Sequence, residues 1–159
     1  MIEIFYKENG QMMLSQSEAD FSIIPYDNVI WIDLFTPSGE EKRAVEAFLG
    51  TTIQNRAQAE EIEISSRFSE TEQAIFANTS FLIPGPDEYN EETVSFILTD
   101  HILTTLRECP LKSFTDLQRR LMAFPKMYDS GHVAFLSILE QRIDLDADMV
   151  EPVSKEINQ

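Results

Sequence analysis

The chain has 159 residues, the length of one ordinary domain, with 28 acidic residues against 12 basic ones and a formal net charge of −16. That charge repels phosphate backbones and excludes nucleic acid as a partner, while an apolar content of 43% is enough to bury a core. The five glycines lie too far apart for a phosphate-binding loop, and no apolar run reaches the ~18 to 20 residues that cross a bilayer.

The first half of the chain predicts strands around one capped helix. Residues 1–14 predict a hairpin about an Asn-Gly turn, and the β-branched run 29–34 predicts a buried strand. Ser38 can cap a helix that ends at Gly50. The acidic run 51–64 predicts a short helix, and residues 65–72 predict an edge or a turn.

The second half predicts three more strands and then helices. The strands are expected at 74–83, 93–98 and 102–106, with a polar loop at 84–92 and an antiparallel pairing of the last two strands. An amphipathic helix over 112–124 ends before Pro125, and a long helix follows the break at 128–131. Its apolar stripe has no cap before Gln159, although Pro152 predicts a kink. The fold expected is α/β, a mixed sheet covered by helices on both faces.

The residue types that usually carry chemistry favour structural roles here. Neither His101 nor His132 has a second histidine or cysteine at zinc-ligand spacing, and Cys109 has no local nucleophile signature. The carboxylates of 144–148 resemble a calcium loop, but Met149 stands where that loop needs glycine. The densest acidic cluster outside the last helix consists of Glu60, Glu61 and Glu63, which alone predicts a solvated helix surface.

Several segments in order resemble the amino-terminal cytoplasmic part of CorA-type magnesium and cobalt transporters. They are Val-Ile-Trp-Ile-Asp-Leu at 29–34 with the acidic helix after it, Ala-Glu-Glu-Ile-Glu-Ile-Ser-Ser-Arg-Phe at 59–68, Val-Ser-Phe-Ile-Leu at 94–98 with Leu-Thr-Thr-Leu-Arg-Glu at 103–108, and the long acidic helix. The resemblance covers roughly residues 28–151.

Members of that family are homopentameric inner-membrane channels, in which a cytoplasmic α/β/α sandwich leads into a long stalk helix. The resemblance therefore implies a cytoplasmic α/β sensor domain at 1–128 and the beginning of a stalk helix at 129–159, cut before the membrane. The resemblance implies that this sequence contains the sensor domain and not the pore. The sensor domain would be joined to the membrane only through a C-terminal segment that is missing from this sequence. In the parent protein this part would lie at the cytoplasmic face of the inner membrane, and it would be soluble as a fragment and not an enzyme.

The resemblance also implies a regulatory metal site. In the family, an acid of the Glu-rich segment of one protomer and an acid on a neighbour's stalk together hold a divalent cation that keeps the channel closed. The position that matches the family's aspartate is Glu61, whose side chain is longer by one methylene, and Glu60 lies beside it in the sequence. Mg²⁺ demands near-ideal octahedral distances and accommodates the extra methylene through bridging water. The stalk partner would fall beyond residue 159, so Mg²⁺ binding by this chain alone is expected to be weak.

Three other readings stay open. A ZntB-like zinc transporter shares the fold, and its cytoplasmic half is not distinguished by these segments. A soluble enzyme could use Glu61 and Glu63 as paired carboxylates, which acid and base catalysis would require in different environments. An acidic interaction module could pair the apolar stripe of the last helix with a partner helix.

Overall fold

The computed structural model describes residues 1–53, 68–70, 74–84, 86 and 89–141. Within these ranges the strands are β1 (Ile2–Glu8), β2 (Gln11–Ser15), β3 (Val29–Phe35), β4 (Phe68–Glu70), β5 (Ile75–Pro84), β6 (Tyr89–Thr99) and β7 (Ile102–Arg107). The helices are α1 (Gly39–Leu49), α2 (Lys112–Ala123) and α3, which begins at residue 131 and is described as far as 141.

The described strands form a single mixed sheet in the order β2-β1-β3-β7-β6-β5-β4. Strands β3 and β7 run parallel at its centre, and the other neighbouring pairs are antiparallel. The carboxyl ends of β3 and β7 therefore lie side by side, with Asp33 opposite Thr105 and Phe35 opposite Arg107. The predicted antiparallel pairing of β6 with β7 is confirmed.

Two tight turns fix the register of the hairpins. Asn9 and Gly10 both have positive φ, 53° and 79°, as a two-residue turn that follows the right-handed twist of its strands requires. Asp100, at φ 54°, begins the turn between β6 and β7, and aspartate is one of the few residues that tolerate this conformation.

Helix α1 begins and ends where its sequence signals predict. The Ser38 hydroxyl accepts from the Glu41 backbone N–H at 3.1 Å, and the Glu41 carboxylate accepts from the Ser38 backbone N–H at 2.9 Å. These two bonds form a capping box, and Gly50 closes the helix in the left-handed conformation at φ 73°.

Helices cover both faces of the sheet, as the sequence predicts, so that the fold is an α/β/α sandwich. On one face, α1 buries Val45 and Leu49 against the inward residues of β1 and β3. On the other face, Phe114 and Leu117 of α2 and Ile138 of α3 pack around the buried ring of Trp31. Because successive residues of a strand point to opposite faces, the buried apolar residues of β3 and β7 supply both cores.

The prediction of a loop over 84–92 is wrong at both ends. Strand β5 includes Pro84, and β6 already begins at Tyr89, where it pairs with Pro84. Leu82 pairs with Glu91 and Ile83 with Asn90. The backbone pairing of β5 with β6 therefore extends beyond the apolar residues of β6. The segment 65–72 predicted an edge or a turn, and residues 68–70 of it form an edge strand. The short helix expected over 51–64 and the later part of the last helix fall mainly outside the described residues.

Candidate functional site

The two predicted metal ligands, Glu60 and Glu61, lie outside the described residues. The structure does describe where the chain enters and leaves their segment. Ile53 is buried in the core beneath α1, and β4 pairs with β5 at the edge of the sheet. The chain that carries Glu60 and Glu61 is thus attached to the sandwich at both ends.

A buried ion pair occupies the centre of the sheet. Arg107, at the end of β7, donates to both carboxylate oxygens of Asp33, from Nε at 3.2 Å to each and from a terminal nitrogen to Oδ2 at 2.8 Å. The Asp33 side chain is fully buried and that of Arg107 is 8% exposed. A bidentate geometry of this kind is needed to offset the cost of taking two charges out of water.

Neighbouring groups complete the hydrogen bonds of this pair. The Thr105 hydroxyl donates to Asp33 at 2.8 Å and accepts from the Trp31 indole N–H at 3.0 Å. Arg107 also donates to the Cys109 carbonyl at 2.8 Å, and its guanidinium lies 4.6 Å from the centre of the Phe35 ring. The network joins the carboxyl ends of β3 and β7 to the segment that enters α2. Because it is sealed from solvent, its role is to fix the scaffold.

Glu3 lies close to the same network and is only 8% exposed. Burial raises the pKa of Glu3, and the nearby Asp33 carboxylate raises it further, against smaller opposing effects of the Gln118 amide and of Arg107. The Gln118 amide donates to Glu3 at 3.4 Å. The ionised form of Glu3 is therefore disfavoured in the folded protein.

The histidines take the structural roles that the sequence predicts. Nε2 of His101 lies 3.0 Å from the Tyr26 carbonyl, and Nε2 of His132 lies 2.7 Å from the Asp100 carbonyl. Cys109 packs half-buried against the core beneath α2 and α3. Among the residues that the structure describes, no group of three or more histidine, cysteine or acidic side chains is placed to hold a metal ion.

Sequence reasoning missed the Asp33–Arg107 pair. A signal was present, because Asp33 interrupts an otherwise apolar run that is predicted to be a buried strand. A charge in that position needs a partner. The register that brings Arg107 to it depends on the parallel pairing of β3 with β7, across 74 residues of chain.

One groove lies between the edge strand β2 and helix α2. It has a volume of about 580 Å³ and contains no carboxylate in its lining, which is formed by Phe5, Leu14, Thr115, Gln118, Arg119, Met122 and Ala123. A second cavity, of about 270 Å³, lies beside Ile23 and Pro25. Neither has the paired carboxylates that an acid–base enzyme would need. No helix in the described part of the chain has the length and hydropathy of a membrane-spanning segment.

The fold is similar to that of two solved domains. The soluble domain of CorA from Methanocaldococcus jannaschii has a TM-score of 0.68 with this chain, at 14% sequence identity, covering 99% of this chain and 62% of that one. The cytoplasmic domain of ZntB from Vibrio parahaemolyticus has a TM-score of 0.61, also at 14% identity, covering 97% and 63%. At these identities the likeness shows the fold alone.

Sequence similarity defines the family more narrowly. Residues 26–159 match the family described as CorA-like Mg²⁺ transporter protein. The magnesium transport protein CorA of Wolinella succinogenes is 32% identical over 98% of this chain and 50% of its own length. The chain belongs to the CorA-like Mg²⁺ transporter family, and it spans about half the length of the curated relatives it matches.

Proposed function

We propose that this chain is the cytoplasmic, Mg²⁺-sensing part of a CorA-type divalent cation channel, in which Glu60 and Glu61 supply one side of a regulatory metal site between protomers. The observation that carries the proposal is the family match over residues 26–159, which includes both glutamates. The assembled protein would be a pentamer at the cytoplasmic face of the cell membrane, gated by intracellular Mg²⁺.

The scaffold supports a sensing role through its connections. A cation held at residues 60 and 61 would be linked along the chain to Ile53, beneath α1, and to the edge strand β4. Strand β4 belongs to a sheet whose centre is fixed by the Asp33–Arg107 pair, and Ile53 packs in the core on one face of that sheet. Gain or loss of the cation would then act on the position of the whole sandwich relative to its neighbour, because a close-packed core transmits displacement rather than absorbing it.

A site that is divided between protomers predicts weak binding by one chain. Mg²⁺ gives up its hydration shell reluctantly, and two neighbouring glutamates on one side replace little of that shell. The charge of −16 also attracts divalent cations diffusely, but that attraction decays over about 8 Å at physiological salt. Calorimetry of the 159-residue chain at that salt concentration should show no tight, saturable Mg²⁺ site. Micromolar binding by the monomer would mean that a complete site lies within residues 1–159.

The sensing role is tested in the full-length parent protein. Glu61→Ala should weaken the protection against protease that Mg²⁺ gives, whereas Glu63→Ala, in the same acidic run, is the matched control and should leave it near the wild-type level. Glu61→Asp installs the aspartate of the family pattern and should retain or strengthen the protection. Unchanged protection in Glu61→Ala would remove this residue from the sensing role.

The magnesium assignment rests on the named function of the Wolinella relative, while the fold alone is shared with ZntB. The two ions are distinguished by repeating the protease experiment with Zn²⁺ in place of Mg²⁺. Protection at lower concentrations of Zn²⁺, abolished by the same Glu61→Ala substitution, would instead support a zinc transporter.

A further inference from the structure

Strand β2 forms one edge of the sheet, and within the described part of the chain no further strand pairs with its outer side. Its register with β1 places Glu8 opposite Gln11, on either side of the two-residue turn. In a hairpin of this kind the pair next to the turn exchanges both backbone hydrogen bonds, and bonded pairs then alternate with non-bonded ones. The backbone N–H and C=O groups of Met12 and Leu14 therefore point away from β1.

The sequence of β2 lacks the features that usually keep an edge strand from pairing with another chain. Natural edge strands are very short, or they contain charged residues, proline or a bulge. Residues 9–17 contain no charge and no proline, although 25% of the chain is charged, and the pairing of β2 with β1 has no bulge. The opposite edge strand, β4, has only three residues, and one of them is Glu70. Of these two edges, β2 is the one that is open to a further strand.

The groove beside β2 gives such a strand an apolar surface to pack on. It has a volume of about 580 Å³ and lies between β2 and α2. Leu14 is 40% exposed and Met122 is 48% exposed, and both line the groove with the buried Phe5. Contiguous exposed apolar side chains mark an interaction surface, and free backbone groups next to them are typical of a site where a peptide extends a sheet.

The α2 side of the groove is positively charged, in contrast to the chain as a whole. Residues 109–126 contain four basic residues and one acidic residue, whereas the net charge of the chain is −16. The side chain of Arg119 lines the groove and is 79% exposed, and it lies 3.9 Å from Asp116 on the same helix. An exposed ion pair at that distance contributes little to stability. Arg119 is thus able to pair with a carboxylate of a ligand in the groove.

We infer that the edge of β2 and the groove beside it bind an extended peptide segment of another protein, which adds a strand to the sheet. The segment has apolar residues at alternate positions, which pack on Leu14 and Met122, and an acidic residue on the same face, which pairs with Arg119. Main-chain hydrogen bonds to Met12 and Leu14 supply affinity, and the groove selects the side chains. A fatty acid also matches an apolar groove with an arginine, but it makes no use of the free backbone groups of β2.

Calorimetry with a synthetic peptide tests the binding. The probe is acetyl-Thr-Leu-Thr-Leu-Thr-Asp-Thr-amide, in which the leucines and the aspartate share one face of an extended strand. It should bind saturably to the 159-residue chain in EDTA, because the inference does not depend on metal binding by Glu61. N-methylation of the second leucine and of the threonine after it should weaken binding about tenfold, because one of these two N–H groups faces β2 in any register.

A second comparison tests the charge of the groove. Asparagine in place of the aspartate of the peptide should weaken binding by about two- to fivefold, since it removes an exposed ion pair. In the variant Arg119→Met the two peptides should bind equally, because their difference depends on the arginine. Lys112→Met is the matched control, since Lys112 is an exposed basic residue of α2 that does not line the groove, and it should preserve the difference.

Amide hydrogen exchange measured by NMR locates the contact. In the free chain the N–H groups of Met12 and Leu14 should exchange rapidly because they point outward. Those of Met13 and Ser15 should be protected, because these residues form the bonded pairs with β1. Saturating peptide should slow exchange at Met12 and Leu14 by about tenfold or more, because a hydrogen-bonded amide exchanges only when the strand opens.

The variant Leu14→Pro removes an outward donor without removing a hydrogen bond to β1. Proline is tolerated on an edge strand where the lost N–H would face solvent. Leu14→Pro should therefore weaken peptide binding about tenfold, whereas Leu14→Val, which keeps the N–H, should bind within about twofold of the wild type. Trp31 fluorescence establishes that each variant is folded. If Leu14→Pro does not fold, the N-methylated peptide tests the same hydrogen bonds on the wild-type chain.

Five results would overturn the inference. Three of them are no binding of the peptide by the wild-type chain, equal binding of the N-methylated peptide, and exchange at Met12 and Leu14 that bound peptide does not change. Protection of these two amides that rises with protein concentration, without peptide, would mean that a second copy of the chain occupies the edge. Binding of dodecanoate in the groove, with no binding of the peptide, would make the groove a site for amphiphiles.

Discussion

Replacing Arg107 by methionine should be among the most damaging single substitutions in this domain. Methionine preserves the length of the side chain but removes the three hydrogen bonds to Asp33, at 3.2, 3.2 and 2.8 Å. Because the Asp33 side chain is fully buried, water cannot replace them. Breaking one partner of a buried pair costs about 3 to 5 kcal/mol, a large fraction of the ~5 to 15 kcal/mol that stabilises a typical domain.

Urea denaturation followed by tryptophan fluorescence measures this loss directly. Trp31 is the single tryptophan, and it is joined to Asp33 through the Thr105 hydroxyl, so its emission reports on the affected region. The matched control is Lys7→Met, which breaks the exposed pair of Lys7 with Asp129 at 3.2 Å. An exposed pair of this kind contributes about 0 to 1 kcal/mol.

A second substitution separates the loss of pairing from a general disturbance of packing. Adding Asp33→Asn to Arg107→Met removes the unpaired charge while leaving an amide oxygen that can accept from Thr105. Much of the lost stability should return in the double variant. If Arg107→Met costs no more than Lys7→Met, or if the double variant is less stable than Arg107→Met alone, the reasoning about an uncompensated buried charge is wrong.

Three further substitutions test other features of the fold, each by the same denaturation assay. A Cβ at Gly131 would overlap the backbone nitrogen of Leu103, so Gly131→Ala should cost about 1 to 3 kcal/mol or more, whereas Gly39→Ala, which meets only a flexible arginine tip, should cost much less. Equal losses would contradict the close approach of α3 to the sheet. Ser38→Ala should cost about 1 kcal/mol by removing the cap of α1, and a loss near zero would mean that the capping box contributes nothing in solution. The pKa of Glu3 is raised in the folded state, so the protonated carboxyl contributes stability to the fold. That contribution is fully present below the ordinary pKa of 4.5 and is lost as the pH rises through the raised pKa, because the carboxylate is then buried in its charged form. Glu3→Gln should therefore be more stable than the wild type at pH 7, with the difference shrinking below pH 4.5, and a difference that does not change with pH would refute the electrostatic cause.

Local signals in the sequence determined the boundaries of the elements. The Asn9-Gly10 turn, the Ser38 cap, the Gly50 stop and the stop before Pro125 each act within a few residues, so they can be recognised without knowing the rest of the fold. The boundary at 84–92 failed for the opposite reason. Strand β6 begins at Tyr89 because it pairs there with β5. The polar residues at the start of β6 have no alternating pattern that would predict a strand from the sequence.

The sequence by itself also determined the family, because several segments in a fixed order are far more specific than any one of them, and the match over residues 26–159 confirms that prediction. The assignment of Glu60 and Glu61 to a metal site came from the same resemblance and stays a prediction. Only the tertiary structure decided which residues share the buried centre and which share a surface. Asp33 meets Arg107 because two parallel strands pair across the middle of the sheet, and Leu14 and Met122 line one groove because α2 packs against the edge strand β2. Both arrangements bring together residues far apart in the chain, and the packing of the whole domain, rather than any local pattern, sets the distance between them.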